Sequence, residues 1–579
     1  MLAIFNFFKS INIKGSLSFK EISNELTSGF IVGIVALPLA IAFAIASGLK
    51  PEQGIYTAIV AGFIISAFGG SKVQIGGPTG AFIIIILGIV QKYGYSGLAI
   101  STLMAGIMLI AFGVFKLGSV IKYIPYPLTI GFTSGIAVII AFSQLNDFFG
   151  ITIPDSGFNL NNVLNFSSYI NPATAFIGIF SIILIIVWQN YNKIIPGSVI
   201  AIIATSLIVA IFNINTPTIG SRFGELASGF PMPAIPVFDF TKIPITELIM
   251  PAFTIAMLGA IESLLSAVVA DGMTGERHNS NKELIAQGIA NIASPIFGGI
   301  PATGAIARTA TNIKNGGRTP LSGIFHSFVL LCTLLFLGKL VAFIPLAALS
   351  AILIIVAYHM SNISYFIRLF RSPKSDVAVL LSTFFTTIFF DLTTAILVGL
   401  ILSTFLFMKR MTEVTHFKSI SSEKDMRTLK RPDFQQINKK NIPKGVFVFE
   451  IHGPFFFGAA NKFKDTLKIV TEKPKVLLIR MGHVPAIDAT GIRAFEEMIE
   501  KTQKDKTSIF ITGMQPQVER ILKASKIIDK IGVNNVFESI EPALAEAASR
   551  IKTYKKESIF KKKQSSTKPA LNLNEETTT

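Results

Sequence analysis

The sequence predicts a polytopic α-helical membrane protein of about fourteen segments in two inverted sets of seven, followed by a soluble α/β domain. Of its 579 residues, 51% are hydrophobic and only 15% are charged, which is too apolar for an ordinary soluble protein. Apolar runs of the length that crosses a lipid bilayer recur between Gly29 and Met408. After Met408 the pattern changes to strands that alternate with helices.

The apolar runs fall into two similar halves. The first half predicts spans near 29–47, 54–68, 98–115, 128–149, 173–190 and 194–212, with a shorter segment after Pro78. The second half predicts spans near 245–270, 283–297, 322–337, 340–358, 377–390 and 392–408, with a shorter segment after Pro301. Because each half has an odd number of segments, the second half must enter the membrane upside down, as inverted repeats do.

The third segment of each half is interrupted in the same way. Residues 76–82 and 298–312 both contain a glycine pair, a proline and then Thr-Gly-Ala before a short apolar segment. Broken backbone at membrane depth is tolerated only where it lines a cavity enclosed by protein. Matched interrupted segments in the two halves therefore predict the substrate site of a transporter.

These interrupted segments are suited to binding an anion. A proline at a helix start loses no hydrogen bond, and the free N–H groups at that end form an anion site with the helix dipole behind them. We therefore predict that substrate contacts the backbone or hydroxyl groups of Thr79, Gly80, Ala81, Thr303, Gly304 and Ala305. The alternative is a close helix crossing, where small residues are also common; two matched copies favour the binding site.

Two charged residues lie in the same apolar surroundings. Arg308 comes one helical turn after Gly304 and adds a fixed positive charge, so it is predicted to bind substrate. Glu262 is its expected partner and a candidate proton carrier, with Ser266 one turn away on the same helix face as a second coupling residue. The alternative interpretation is a structural ion pair, although a buried pair is weak evidence for stability.

Other chemistry is disfavoured. The single cysteine, Cys332, excludes an intrachain disulfide, and the chain has neither a Walker phosphate loop nor an HExxH zinc motif. We therefore expect a transporter that is not an enzyme and needs no cofactor or metal.

The net charge of +18 comes from Lys and Arg residues that flank the spans and that lie in the C-terminal region. The positive-inside rule then predicts cytoplasmic N- and C-termini in a multi-pass cell-membrane protein, with no need for a nucleic-acid partner.

The soluble domain is predicted from alternating strands and helices. Strands are expected at 446–451, 476–480 and 508–512, and helices at 459–470, 491–502, 516–524 and 542–552. The predicted organisation is an N-terminal segment 1–23, a transmembrane domain 24–410 with repeats 24–212 and 245–410, a linker 411–443, the α/β domain 444–552 and a disordered tail 553–579.

Several motifs together resemble the SulP family of anion transporters, over about residues 24–548. They are Ile34-Val35-Ala36-Leu37-Pro38, Ile45-Ala46-Ser47-Gly48-Leu49, the two interrupted elements, the Glu262 segment and the α/β domain. The resemblance implies a core and a gate domain that move as an elevator, a homodimer in the lipid bilayer, and a C-terminal STAS domain. It also implies that substrate lies between the third and tenth segments, which begin here at Thr79 and Thr303.

The expected substrate is inferred from the positions at which this sequence departs from the family pattern. Leu39 stands where many sulfate-transporting members carry glutamine, which is closer to bicarbonate-transporting relatives, whereas Glu262 with Arg308 looks like the proton-coupled branch. We therefore expect proton-coupled sulfate uptake, with sodium-coupled bicarbonate transport or anion exchange as the alternative. A channel, a nucleobase permease and a membrane-tethered STAS signalling protein are further alternatives. Sequence alone does not distinguish the channel from a carrier. Arg308 argues against the nucleobase permease, whose substrate is neutral.

The STAS domain differs from its signalling relatives at one loop. Ile487-Asp488-Ala489-Thr490-Gly491 is similar to the Asp-Ser-Ser-Gly loop that is phosphorylated in bacterial anti-sigma antagonists, but Ala489 replaces the phosphorylated serine. Phosphorylation at that position is therefore excluded. A scaffold or interaction role with a cytoplasmic partner fits better.

Overall fold

The chain is described by a computed structural model. It describes residues 18–121, 125–151, 170–191, 195–224, 229–234, 236, 244–390, 392–420, 442–468 and 474–565. The chain divides into two compact units, Met1–Ser403 and Thr404–Thr579. Parts of the predicted N-terminal segment, loops, linker and tail lie outside the described residues.

The first unit is built almost entirely from helices. Its first half contains α1 (Phe19–Ala46), α2 (Pro51–Phe68), strand β1 (Gly76–Gly77), a single 3-10 turn (Gly80–Phe82), α3 (Ile83–Val114), α4 (Tyr126–Ser143), α5 (Pro172–Tyr191) and α6 (Gly197–Phe212). Its second half contains α7 (Ile245–Thr274), α8 (Ser280–Ile296), strand β2 (Thr303–Gly304), α9 (Ile306–Lys314), α10 (Pro320–Val341), α11 (Leu346–Met360), α12 (Lys374–Phe389) and the first half of α13 (Leu392–Val414), which ends in the second unit. Short helices cover Gly118–Ile121, Leu145–Phe149, Ile219–Phe223 and Ile363–Leu369.

Helix α3 is two membrane segments joined end to end. Gly94 interrupts it with φ 67° and ψ −173°, a backbone conformation that glycine adopts without steric cost. The part before Gly94, together with the preceding 3-10 turn, is the third segment, and the part after it is the fourth. With this division the described helices give fourteen segments in two sets of seven, so the predicted fold class is confirmed. Among the described residues, eight helices are long and apolar enough to span a membrane on their own.

The segments of the first unit sort into a core group and a gate group. In the core, α8 packs along α3, and α10 packs against both α1 and α2. Small residues permit the α3–α8 approach, since a Cβ at Gly106 would lie 2.7 Å from the carbonyl oxygen of Gly288. In the gate, α12 packs on α4, and α11 packs on α4 and α5. The third and tenth segments, which carry the interrupted elements, belong to the core.

The second unit contains a five-stranded sheet. Its strands are β3 (His416–Ile420), β4 (Val446–His452), β5 (Val476–His483), β6 (Ser508–Thr512) and β7 (Val536–Phe537), in that spatial order. Strands β4 to β7 pair in parallel, and β3 adds an antiparallel edge to β4. The helices are α14 (Phe457–Lys468), α15 (Ala489–Lys504), α16 (Pro516–Ala524), α17 (Ile527–Ile531) and α18 (Ile540–Ser565).

Three features of the second unit differ from the prediction. Strand β3 lies inside the predicted linker. Strand β7 and helix α17 were not among the predicted elements of the α/β domain. These elements are short, so their sequences carry too little periodicity to be recognised. Helix α18 continues to Ser565, where a disordered tail was predicted from residue 553. Ile551 anchors the helix on the sheet, and the lysine- and glutamate-rich residues that follow are good helix formers.

Candidate functional site

The two interrupted segments meet as an antiparallel pair of short strands. Gly76 pairs with Gly304 and Gly77 pairs with Thr303, so β1 and β2 bring the starts of the third and tenth segments together. An antiparallel meeting is what two segments of inverted topology produce at the centre of a repeat fold. The pairing satisfies extended backbone that would otherwise be unpaired at membrane depth.

A cavity of about 510 Å³ lies in front of this strand pair. Its core side is formed by Thr79, Gly80, Ala81, Glu262 and the run from Gly304 to Arg308. Its gate side is formed by Thr133, Val356, His359, Met360 and Asn362, and Leu39 and Phe43 of α1 complete the lining. Seven of the nine predicted site residues therefore line one cavity: Thr79, Gly80, Ala81, Gly304, Ala305, Arg308 and Glu262.

Thr303 and Ser266 do not line the cavity. The Thr303 hydroxyl is buried and lies 2.7 Å from the Ser263 hydroxyl and 3.1 Å from the Gly259 carbonyl. Ser266 donates to the Thr309 hydroxyl at 3.2 Å, on the side of α9 where Thr309 also accepts from the Ile75 N–H. Thr303 on β2 is thus bonded to α7, and Ser266 on α7 is bonded to α9, so both side chains hold the elements around the strand pair together instead of facing the cavity.

The free backbone N–H groups of the second half lie slightly later than the sequence predicts. The N–H of Gly304 donates to the Ser263 hydroxyl at 3.1 Å, and the N–H of Ala305 donates to the Ile75 carbonyl at 2.8 Å. The first intrahelical bond of α9 comes from Thr309. Among the described residues, no acceptor is found for the N–H groups of the three residues at the start of α9, which are Ile306, Ala307 and Arg308.

The first half provides a similar group of donors. Phe82 donates its N–H to the Thr79 carbonyl at 3.3 Å, which closes the 3-10 turn. The N–H groups of Gly80 and Ala81 find no acceptor in the described part of the chain. Two helix starts with unpaired donors therefore face the same cavity, and their dipoles present positive ends to it.

Arg308 joins the two half-helices. Its side chain is on α9, and its Nη2 donates to the carbonyl of Pro78 at the start of the third segment. The residue is only 2% exposed, and Nη1 has no partner among the described residues. A buried guanidinium with an unused donor adds a fixed positive charge beside the unpaired N–H groups.

Glu262 faces the cavity without pairing with Arg308. Its Oε2 accepts a hydrogen bond from the Thr79 hydroxyl at 2.9 Å. Within the described residues no ion pair joins the Glu262 carboxylate to the Arg308 guanidinium, although both line the cavity. The structural ion pair, which was the alternative interpretation of these two residues, is therefore not formed in the described part of the chain, and both charges remain available to a ligand.

A buried carboxylate behind the strand pair holds the loop that leads into β1. Glu283 on α8 accepts from the N–H groups of Gly70 and Ser71 at 2.8 and 3.1 Å. It also accepts from the side-chain amides of Gln74 and Gln287 at 3.0 and 2.8 Å. These four donors compensate the charge, so Glu283 has a structural role away from the cavity.

The loop before β2 is fixed by three polar side chains. The Thr57 hydroxyl accepts from the Ile300 N–H at 2.6 Å, and the Ser294 hydroxyl donates to the Ile300 carbonyl at 2.6 Å. Asn291 exchanges two hydrogen bonds with the backbone of Ala302. The helix starts are therefore held rigidly before any ligand arrives.

Sequence reasoning missed the gate side of the cavity. Thr133, His359 and Asn362 supply its polar groups there. His359 is the last residue but one of α11, and its ring contacts the Tyr358 ring edge-on at 5.6 Å. No local pattern marks these residues, because they reach the site only through packing of the gate on the core.

A second large cavity has a different character. It measures about 500 Å³ and lies between α1, α6 and α10, with Pro38, Ser206 and Leu337 among its lining residues. Nearly all of its lining is aliphatic, which does not suit a charged ligand. The cavity at the strand pair is the better candidate for an ion site.

The fold and the cavity define a membrane transporter with a C-terminal α/β domain. Residues 22–383 match the sulfate permease family, and residues 438–546 match the STAS domain. The chain belongs to the sulfate permease family.

Similar proteins and structures agree with this assignment. The putative sulfate transporter YvdB of Bacillus subtilis is 38% identical over 92% of this chain and 98% of its own length. The bicarbonate transporter BicA of Picosynechococcus is 31% identical over 93% of this chain and 96% of its own. The transmembrane domain structure of a cyanobacterial BicA matches 68% of this chain and all of its own, with a TM-score of 0.59 and 31% identity. Murine Slc26a9 in the inward-facing state has the same fold, with a TM-score of 0.80 over 94% of each chain and 19% identity.

Proposed function

We propose that this protein is a secondary active transporter that carries an inorganic anion across the cell membrane. The observation that carries the proposal is the meeting of two helix starts with unpaired N–H groups beside the buried guanidinium of Arg308. Such donors bind an anion without any need for a metal or cofactor. The binding set is Thr79, Gly80, Ala81, Gly304, Ala305 and Arg308, joined by Ile306 and Ala307. Its donors to the anion are the Arg308 guanidinium and the free N–H groups, while Gly304 and Ala305 form the wall of the cavity because their own N–H groups are already bonded.

The charges that face the cavity support proton coupling as part of this proposal. With Glu262 ionised, its negative charge offsets Arg308; with Glu262 protonated, the cavity carries a net positive charge. An anion therefore binds better when a proton is bound, because like charges repel strongly in a region of low dielectric. By thermodynamic linkage the anion also favours the bound proton, so the two cross the membrane together.

Sulfate is the first candidate substrate and bicarbonate the second. A tetrahedral dianion has four oxygens for donors that converge from both half-helices, and a divalent charge gains more from a positive cavity. Named relatives include both a putative sulfate transporter and bicarbonate transporters. Leu39 also lines the cavity. Its aliphatic side chain offers the anion no hydrogen-bond donor, which favours bicarbonate over sulfate as the substrate.

Movement of the core against the gate would carry the anion across. All the proposed anion ligands lie on the core, whereas Thr133 and His359 lie on the gate. An elevator motion would therefore keep the binding set intact while it exchanges the opposite wall. A homodimer with cytoplasmic termini, and a cytoplasmic partner for the STAS domain, are parts of the same proposal.

The test is uptake of radiolabelled sulfate and, separately, bicarbonate into proteoliposomes under an imposed proton gradient and then an imposed sodium gradient. We expect accumulation of sulfate with protons alone. Accumulation of bicarbonate only with a sodium gradient would show that the substrate is bicarbonate and the coupling ion is sodium. Failure of both anions to accumulate or exchange under either gradient would contradict the proposed function.

A further inference from the structure

The aliphatic cavity between α1, α6 and α10 lies on the seam between the core and the gate. It measures about 500 Å³. Helix α1 and the end of α10 form its core walls, and α6 forms the wall opposite them. Helix α6 packs on α5, which belongs to the gate. The cavity is therefore bounded by both groups of helices that the proposed transport motion would displace against each other.

The lining of this cavity offers almost nothing to a polar occupant. Its described lining contains two hydroxyl residues, Thr333 and Ser206, and is otherwise apolar. The Thr333 hydroxyl donates to the Val329 carbonyl at 2.9 Å. The Ser206 hydroxyl has no partner among the described residues, but a serine on a helix can turn to the carbonyl one turn earlier, which is that of Ile202. Water is a poor occupant here, because a buried water needs about two to four polar partners.

The cavity is open on its lipid-facing side. Several of its large apolar lining residues are also strongly exposed, and these are Ile203 (53%), Leu207 (55%), Leu337 (47%), Leu340 (62%) and Phe343 (57%). The first four lie on α6 and α10, two of the membrane segments. Apolar surface that is exposed on a membrane segment is in contact with the hydrocarbon core of the bilayer. The molecules next to the opening are therefore lipid acyl chains.

We propose that this cavity binds an acyl chain of a membrane phospholipid, which fills the seam between α6 and the core. An empty cavity would forfeit the dispersion contacts of its whole lining, whereas a methylene chain restores them without any polar contact. A flexible chain can also change its shape when the core moves against the gate, which a closely packed set of side chains cannot do. This role in transport rests on the proposed motion, but the site does not.

The alternative occupant is an apolar helix of a second copy of the chain, seated over the same opening in a homodimer. Such a helix would cover the exposed residues of α6 and α10 and keep lipid out. The two occupants differ in whether a lipid chain reaches the wall of the cavity that α1 forms.

The experiment places the full-length protein in vesicles of phosphatidylethanolamine and phosphatidylglycerol, in which a small fraction of the phosphatidylglycerol carries a diazirine on one acyl chain. Illumination crosslinks this chain to the residues it contacts, and peptide mass spectrometry locates the products. We expect crosslinks at Leu37 and Pro38, which line the cavity on α1. Ser206→Phe places a ring in the cavity and should lower these crosslinks severalfold. Crosslinks at Phe336, which is 79% exposed on α10 and outside the described lining, should not change.

Ile211→Phe is the matched control, because Ile211 is also on α6 and is 70% exposed but lies outside the described lining. It should keep the parental crosslinks. Should Ser206→Phe fail to fold, Ala210→Phe fills the same cavity from one turn later on α6. Absence of crosslinks at Leu37 and Pro38 in the parent, as a covering second copy would produce, overturns the lipid site. Equal crosslinks in the parent and the filled variant overturn it as well.

Anion uptake by the same vesicles tests the role of the chain in transport. We expect Ser206→Phe to lower Vmax severalfold and to leave KM unchanged, because the described linings of this cavity and of the anion site share no residue. Reduced crosslinking with a parental Vmax would support the lipid site and overturn its role in the motion. A parent protein that carries no anion would contradict the proposed function, and the crosslinks would still decide whether the lipid site exists.

Discussion

The Thr79 hydroxyl donates a hydrogen bond of 2.9 Å to Oε2 of Glu262, which ties the start of the third segment to α7. Both residues face the cavity. A ligand at the half-helix starts would therefore contact a side chain that is bonded to the candidate proton carrier. This relationship, together with the absence of a Glu262–Arg308 ion pair in the described structure, is the basis of the coupling account.

Replacement of Thr79 by valine should impair transport while the fold is retained. Valine has the same shape but leaves the Glu262 carboxylate without its donor, and a hydrogen bond to a charged group contributes about 1.5–3 kcal/mol. We expect Vmax/KM for anion uptake to fall about tenfold or more. Thr79→Ser keeps the hydroxyl and serves as the control. Equal losses in the serine and valine variants would show that the methyl group, and not the hydrogen bond, is what matters.

Arg308→Ala should raise KM for the anion strongly, because it removes the only side-chain cation among the described cavity-lining residues. Arg308→Lys should recover part of the affinity, since it restores the charge without the planar fork. The concentration dependence of uptake separates the two variants. Ser266→Ala is the matched control, because Ser266 lies near α9 but outside the cavity, and it should keep the parent KM. A parental KM in Arg308→Ala would remove Arg308 from the site.

Ser263→Ala should destabilise the strand pair. The Ser263 hydroxyl is fully buried, accepts from the Gly304 N–H at 3.1 Å and lies 2.7 Å from the Thr303 hydroxyl. Its loss leaves the Gly304 N–H unsatisfied, at a cost of about 1–3 kcal/mol. The midpoint of thermal unfolding in detergent should fall, and saturating anion should restore part of the loss. An unaltered midpoint would mean that β2 does not depend on this contact.

Asp488→Ala should loosen the start of α15 in the STAS domain. The Asp488 carboxylate caps this helix by accepting from the Gly491 N–H at 2.7 Å, and it also accepts from the Phe457 N–H at 3.2 Å. Loss of an N-cap costs about 0.5–2 kcal/mol. Hydrogen exchange should accelerate at the first turn of α15 and remain unchanged in β5. Parental exchange at that turn would contradict the capping role. Thr490→Ala, two positions further along and without this contact, is the control.

The parts of the fold that the sequence predicts well are those with strong periodicity. The long apolar runs identified twelve of the spans, and their observed ends lie within about ten residues of the predicted ones. The repeated Gly-Pro-Thr-Gly element located the two short segments, because glycine and proline are strong breaks in an apolar run. Short β3, β7 and α17 lack such a signal.

The sequence predicted most of the residues that line the core side of the cavity, but not their hydrogen-bond partners. Gly304 and Ala305 line the cavity as expected, yet their N–H groups are occupied by Ser263 and Ile75. These hydrogen bonds depend on the pairing of β1 with β2, whose residues lie more than two hundred positions apart in the sequence. Gate residues such as His359 were missed for the same reason, since their role depends on tertiary packing and not on local pattern.

The most direct test of the account is sulfate uptake by Glu262→Gln proteoliposomes under an imposed proton gradient, next to the parent protein. Glutamine keeps the size of the side chain and can still accept from Thr79, but it cannot carry a proton. The account predicts that Glu262→Gln still binds and exchanges sulfate while its net uptake no longer responds to the gradient. Gradient-driven accumulation equal to that of the parent would contradict the role of Glu262 as the proton carrier.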